Sequence, residues 1–340
     1  MIREWGETAL KSGERVRMSC VEGPDVRWAP RIERMLGHKG GKWNWQNAEV
    51  LRRETGLQAR FAILRRGARP FANVMIAEAA GVGLLGHVWT DEADRRQGAS
   101  SILLSAAMAD FRQRGGQALI LGTDFDTPPY YLYERFGFKG IEPKSGYMTW
   151  HAETPEAFES RFFAEGKADI EPLDWPHWPV SAPLFTGDFG GGVRCAPAGL
   201  FGRISSEGPL LSLLRDRAAN EGGEPLSAAK NGEAAFALVQ RETRAVVAFA
   251  ASGPHPLWPD AALVDVYAHP AWWSHAPALL RKVFQGAKRP LAAYSDADCP
   301  AKAGALAAAG FAREGRLAKW LAIDAAKTRW ADIDVWTRRK

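Results

Sequence analysis

The feature that most constrains the fold is a repeat: one order of β-type and helical segments occurs twice in the chain. In the first half, residues 59–67, 69–79 and 81–90 are three β-type runs separated by turn residues. A helical pattern follows over 100–116, then a continuous apolar run at 118–124. A short helix at 128–137 carries proline in its first turn, and strands at 137–143 and 145–150 close the unit. The second half repeats the series, with β-type runs at 233–242, 244–253 and 261–270, a helix at 276–286 and a strand at 289–295. A helix at 299–310 and a strand at 311–322 complete it. This self-similarity predicts an internal duplication of an α/β unit of about 140 residues. The first copy is preceded by a strand at 15–20 and helices at 25–37 and 47–56, and the second by a helix at 210–219.

The expected organisation is therefore a domain at 1–150, a linker at 151–192 and a second domain at 193–340. The linker holds a helix at 154–166 and then "DWPHWPVSAPLFTGDFGGG", rich in proline, tryptophan and glycine with little periodicity.

Composition narrows the function classes. Hydrophobic residues make up 46% of the 340 and charged residues 24%, an ordinary globular balance. No apolar run reaches the length of a membrane span, and the first residues lack the apolar core of a signal peptide. Three widely spaced cysteines without a CxxC pair argue against a disulfide framework or a zinc site. The expectation is a cytoplasmic, metal-free protein, monomer or homodimer. A net charge of +5, scattered through helical patterns, argues against a general nucleic-acid binder. A local basic site for a small polyanion remains compatible with it.

Such a site is legible in "WTDEADRRQGASSILLSAAMADFRQRGG", from Trp89. Two arginines, a glutamine and a glycine stand where a helix begins. The first amides of a helix lack internal partners, and its dipole is positive there. Small residues let a phosphate approach the backbone. Arg95, Arg96, Gln97, Gly98, Ala99, Ser100 and Ser101 supply this arrangement, which suits a diphosphate. The sequence is not a Walker loop, and the GxGxxG spacing of "GVGLLG" at Gly81 lies inside an apolar strand pattern.

These residues resemble a motif of the GNAT family of N-acetyltransferases. Arg95 fills its first position, Gly98 the glycine three residues on, and Ser100 a position held by glycine or alanine. Further along, "YYLYERFGFK" resembles the family's second hallmark, a tyrosine four residues before Gly-Phe; the tyrosine is Tyr133, before Gly137 and Phe138. The resemblance covers 14–150 well and 193–325 faintly. It implies two tandem GNAT-like domains, each a mixed, mostly antiparallel sheet with helices on both faces and a central splayed parallel strand pair. It also implies that acetyl-CoA is the co-substrate, lying between strands Leu84–Thr90 and Ala118–Thr123. Backbone groups of the first strand, at Val88 and Thr90, would meet its pantetheine amides. An amine-bearing acceptor would attack the acetyl carbonyl directly. Tyr133 would be the general acid for the departing thiolate. His87 occupies a position where the family often places a base, a task that neutral histidine suits near pH 7. It also reads as an ordinary strand histidine, and Asp124 and Asp126 are competing bases, with helix capping before Pro128 as their other reading, since Asp126 and Thr127 are good N-cap types.

The second copy lacks both chemical signals. "AHPAWWSHAPALL" has no arginine before its helix and no glycine at the turn, and Leu306 stands four residues before Gly310-Phe311. It is expected to be a degenerate, non-catalytic domain. "KGGKWNWQ" at 39–46 reads as a segment between two helices that walls an acceptor pocket, with Trp175, His177 and Trp178 as a possible opposite wall. A non-catalytic acyl-CoA sensor or regulatory scaffold is the alternative to an enzyme.

Overall fold

The computed structural model describes residues 1–220 and 234–339. Glu233, the first residue of the run 233–242, and Lys340, the last of the expected second domain, lie outside the described residues. Two compact units result: Met1–Lys139 with Met148–Thr154, and Gly140–Tyr147 with Pro155–Lys340.

The first unit contains β1 (Ile2–Ala9), β2 (Arg15–Glu22), α1 (Ala29–Leu36), α2 (Gly41–Arg52), β3 (Gln58–Arg66), β4 (Arg69–Ala79) and β5 (Val82–Thr90). After these come α3 (Ala99–Gln113), β6 (Ala118–Gly122), α4 (Pro128–Arg135), β7 (Lys139–Gly140) and β8 (Tyr147–His151). The strands form one eight-stranded sheet in the order β1-β2-β3-β4-β5-β6-β8-β7. Neighbours from β1 to β5 are antiparallel, whereas β5 and β6 are parallel.

Strand periodicity sorts the helices onto two faces. Ala72, Val74 and Ile76 of β4 share a core with Leu103, Leu104 and Phe111 of α3. Met75, on the opposite face, meets Gln46 of α2 at 3.6 Å. Covered on both faces, β3 and β4 are nearly continuous apolar runs. Helix α3 forms because Leu103, Leu104, Ala107, Met108 and Phe111 recur on one side of it.

Strand β1 is not foreseen by the sequence patterns. It is an edge strand with mostly exposed residues, and its pairing with β2 is bulged between Glu4 and Gly6. The segment 39–46 also differs from expectation: α2 begins at Gly41, so Trp43 and Trp45 are helical.

The second unit contains α5 (Pro155–Phe162), β9 (Ala168–Pro172), α6 (His177–Thr186), β10 (Val193–Cys195), β11 (Leu200–Phe201) and α7 (Glu207–Asn220). It continues with β12 (Ala234–Gln240), β13 (Val246–Pro254), β14 (Ala262–Ala268), α8 (Ala276–Val283), β15 (Leu291–Asp296), α9 (Pro300–Ala308), β16 (Ala312–Ala322) and β17 (Trp330–Arg338). Its seven-stranded sheet runs β16-β17-β15-β14-β13-β12-β9. Starting from the parallel pair, β14-β15-β17-β16 repeats the order β5-β6-β8-β7, so the duplicated architecture is present in both sheets. The expected linker at 151–192 is corrected here. Strand β9 is an edge of the second sheet, paired with β12, and every residue of α6 is buried. Trp178 is fully buried and His177 bonds Glu171 at 3.0 Å, so both serve the interior of this unit rather than a pocket wall.

The second sheet also has a short parallel contact, limited to Ala262 with Leu291 and Leu263 with Ala292. Beyond it, the chain's own segment 193–196 bridges the diverging strands. The amide of Val193 donates to Asp296 of β15 at 2.9 Å, and that of Ala196 donates to Asp265 of β14 at 2.7 Å. Lys302 of α9 donates to the Val193 carbonyl and pairs with Asp265, both at 2.6 Å and fully buried. Removing one partner of such a pair leaves a buried charge. Lys302→Met should therefore destabilise the fold by about 3 kcal/mol, read as a lowered urea midpoint; an unchanged midpoint would refute this role.

Candidate active site

In the first unit the parallel pair is also brief. Val82, Gly83 and Leu84 pair with Ala118, Leu119 and Ile120, and pairing stops there. The cause lies on the other side of β5. Asn73 pairs with Trp89 while Met75 pairs with Gly86, so two residues of β5, His87 and Val88, stand against Val74 alone. This is a β-bulge, and a bulge bends its strand. His87 takes φ +50°, an uncommon left-handed conformation for a residue with a Cβ. Asn73 Nδ2 holds the bulge by donating to the His87 carbonyl at 2.9 Å. Past Leu84, β5 turns away from β6, which frees the edge of its backbone on that side for an extended ligand.

The gap is a cleft of about 640 Å³ that reaches the start of α3. Gly98 begins that helix at φ +85°, where a side chain would be strained. No side chain caps the helix, so its first amides, from Ala99 to Ser101, have no intrahelical acceptor, and these residues line the cleft. Thr90 Oγ1 and Ser100 Oγ, 3.2 Å apart, tie the end of β5 to the helix start. Lys11, Lys39, Arg95 and Arg96 line the rim. The single lining carboxylate, Asp94, is occupied by Arg66 at 2.7 Å. Among the described residues Arg96 has no carboxylate partner. The result is a cationic rim around free amide donors, an arrangement for a diphosphate.

His87 and Tyr133 line the same cleft. Gln46 Oε1 can only accept, so at 2.7 Å it takes the proton of His87 Nε2, and Nδ1 is left as a buried acceptor without a protein partner. Trp43 lies edge-on to the imidazole at 5.9 Å. Burial first, then the charges of Lys39 and His38, push the His87 pKa down from 6.5 to about 3. The imidazole is therefore held in its neutral form near pH 7. Tyr133, on α4, is 7% exposed and packs edge-on against Phe138.

Of the predicted residues, Tyr133, His87, Val88, Thr90, Arg95, Arg96, Gly98, Ala99, Ser100 and Ser101 all line this one cleft. Gln97 does not; its side chain accepts from the Ser12 amide at 3.0 Å and its carbonyl from the Lys11 amide at 3.1 Å. That anchor brings Lys11 to the rim, a contribution with no local signal in the sequence. Asp124 and Asp126 are exposed and lie outside the lining; Asp126 accepts from the Tyr131 hydroxyl. Thr127, not Asp126, is the N-cap residue of α4, and its hydroxyl bonds the Asp124 carbonyl at 2.7 Å.

The corresponding turn of the second unit is a 3₁₀ segment, Pro270–His275. Trp272 is buried there, donating to the Phe163 carbonyl at 3.0 Å. Among the described residues no group of three or more His, Cys, Asp or Glu is placed to hold a metal ion, and no helix is long and apolar enough to cross a membrane.

No family model matches the chain, and no curated protein matches it. Solved structures do. A ribosomal-protein-S5-alanine acetyltransferase from Vibrio fischeri aligns at 16% identity and a TM-score of 0.37, over 51% of this chain and 94% of its own. A probable GNAT-family acetyltransferase from Chromobacterium violaceum aligns at 21% and 0.33, over 51% and 84%. One from Streptococcus pneumoniae aligns at 12% and 0.37, over 51% and 98%. The chain is similar to GNAT-family acetyltransferases.

The pKa of His87 has a direct consequence. Its folded value, about 3, lies below the ordinary 6.5, so the native state binds fewer protons than the unfolded chain between those values. The contribution of His87 to stability is present above pH 6.5 and is lost as pH falls toward 3. Nitrogen NMR should find the His87 ring neutral, with its proton on Nε2, down to about pH 4. A ring that titrates near neutrality overturns the assignment.

Proposed function

We propose that the chain is an acyl-CoA-dependent N-acyltransferase that uses acetyl-CoA and transfers the acetyl group directly to an amine. One observation carries this reading: a single cleft joins the free edge of β5, the uncapped start of α3 with its cations, and Tyr133. The residues fit the coenzyme. Arg95, Arg96 and the amides from Ala99 to Ser101 would hold its diphosphate, and the β5 backbone at Val88 and Thr90 would align its pantetheine amides. Bound in this way, acetyl-CoA supplies an acyl group activated as a thioester.

Tyr133 is the assigned general acid, giving its phenolic proton to the sulfur as the thiolate leaves. His87 Nδ1 accepts a hydrogen bond from the incoming amine or from a water on it. The low pKa of His87 keeps the amine's proton from resting there; it is released to solvent, from which Tyr133 recovers its own, so the transfer is proton-neutral. The first unit is the proposed catalytic domain. In the second, residues 193–196 occupy the equivalent gap, which favours a non-catalytic role.

The low pKa of His87 also favours a second reading, an acyl-CoA sensor without turnover. Calorimetry and thiol release separate the two. Acetyl-CoA should bind at one site per chain, and Gly98→Val, which puts a β-branched residue at φ +85°, should weaken binding at least tenfold. With an amine panel, Tyr133→Phe should lower thiol release by about 100-fold while leaving affinity intact. Binding without release on any amine favours the sensor; no heat with acetyl-CoA removes both readings.

A further inference from the structure

The cleft is not the only cavity of the first unit. A groove of about 760 Å³ lies between α1 and the turn joining β3 to β4, and Trp89 lines both spaces. On the groove side the ring of His38 lies 3.7 Å from that of Trp89. On the cleft side the guanidinium of Arg95 lies 4.9 Å from it. A ligand that extends past Trp89 would enter both.

The groove is strongly and unevenly charged. Arg31, Arg34, Arg66 and Arg69 line it, with Asp91 as the one carboxylate. Two of the cations are compensated. Arg66 is chelated by Glu14 at 2.6 Å and by Asp94 at 2.7 Å, and Arg69 meets Asp91 at 3.3 Å. The two on α1 are not. Arg31 donates only to the carbonyl of Arg27 and lies 5.4 Å from the ring centre of Trp28, and Arg34 has no ion pair among the described residues. The nearby acid of the same helix, Glu33, is taken by Arg52 at 2.7 Å.

Helix geometry gives the reason for this placement. Ile32 and Leu36 turn one face of α1 into the core, and Arg31, Arg34 and Met35 then share the other, three and four residues apart. Two guanidinium forks stand in a groove with an aromatic wall and apolar surface from Met35 and Pro70. Like charges held together without a counter-charge cost free energy, and an anion relieves it. Arginine forks match the paired oxygens of phosphate and carboxylate.

We propose that the groove is an anion subsite that seats a phosphate or carboxylate group of a ligand whose other end lies in the cleft. This rests on the acyl-CoA reading of the cleft. Two sources supply such a group: an acidic acceptor amine, or the 3′-phosphate of the coenzyme itself.

The test is calorimetry on the full chain and on the Arg31→Glu/Arg34→Glu double variant. Both side chains are exposed, and circular dichroism verifies the fold. O-phosphoethanolamine and ethanolamine are titrated into protein saturated with CoA, and CoA and dephospho-CoA into free protein. We expect O-phosphoethanolamine to bind, ethanolamine to give no heat, and charge reversal to weaken the former at least tenfold while CoA is unaffected. That result assigns the anion to the acceptor. A tenfold loss for CoA with none for dephospho-CoA upholds the subsite and assigns it to the 3′-phosphate. If charge reversal moves neither ligand, the subsite is refuted. Should CoA fail to bind the wild-type protein, the reading of the cleft falls, and O-phosphoethanolamine on free protein still decides the groove.

Discussion

A parallel strand pair that stops after two or three residues exposes a row of amides and carbonyls that something must meet. Both sheets of this chain face that problem, at β5 and β6 and again at β14 and β15. In the first, a bulge at His87 drives the strands apart, and the gap stays open as a cleft with cations at its rim. In the second, the chain inserts its own residues 193–196, and Asp265, Asp296 and Lys302 satisfy the inserted backbone. Taking an ion pair fully out of water is costly unless each charge is also hydrogen-bonded. Asp265 meets that condition by accepting from two backbone amides besides the lysine. One opening therefore stays free and the other is sealed from within.

The same burial that shapes the open cleft sets its chemistry. His87 is enclosed by Gln46 and Trp43 from α2, and that enclosure, more than any neighbouring charge, keeps the ring neutral. A neutral imidazole with its proton committed to Gln46 presents one lone pair in a fixed direction, which is a device for orientation. Positive potential is concentrated at the other end of the cleft, where helix amides and side-chain cations reinforce each other.

The sequence made the phosphate end legible because its residues are contiguous: Arg95 to Ser101 lie along one turn, so chain order and spatial order coincide. Tyr133 is singled out only through the family resemblance of "YYLYERFGFK", a short helix and its cap. The rest depends on tertiary contacts. Lys11 reaches the rim through backbone bonds to Gln97, and nothing in the β1–β2 turn announces it. The burial that depresses the pKa of His87 involves a helix some forty positions earlier, whose start at Gly41 carries no helical signal in the sequence. The segment 151–192 reads as a linker in sequence because α6 is apolar on all sides and carries Pro183 within it. A helix buried all round has no amphipathic period to detect. Strand β17 was missed beyond the turn at Asp324, whose carboxylate holds the amides of Thr328 and Arg329.

The duplication also separates what the fold requires from what the chemistry requires. Gly137 and Gly310 follow α4 and α9 at φ +86° and +88°. In the first unit the Phe138 amide bonds the Tyr133 carbonyl at 3.2 Å and the Gly137 amide bonds that of Glu134 at 2.9 Å. In the second the Phe311 amide bonds the Leu306 carbonyl at 3.0 Å and the Gly310 amide bonds that of Ala307 at 2.9 Å. Both are the same left-handed helix cap, with its phenylalanine buried behind it. The Gly-Phe pair is thus a folding device, present in both copies. The phenol is not: where Tyr133 lines an open cleft, Leu306 is fully buried. The cap forms equally well over leucine, so it does not itself require the phenol; in the first unit the Tyr133 ring packs in the core against Phe138 and also lines the cleft.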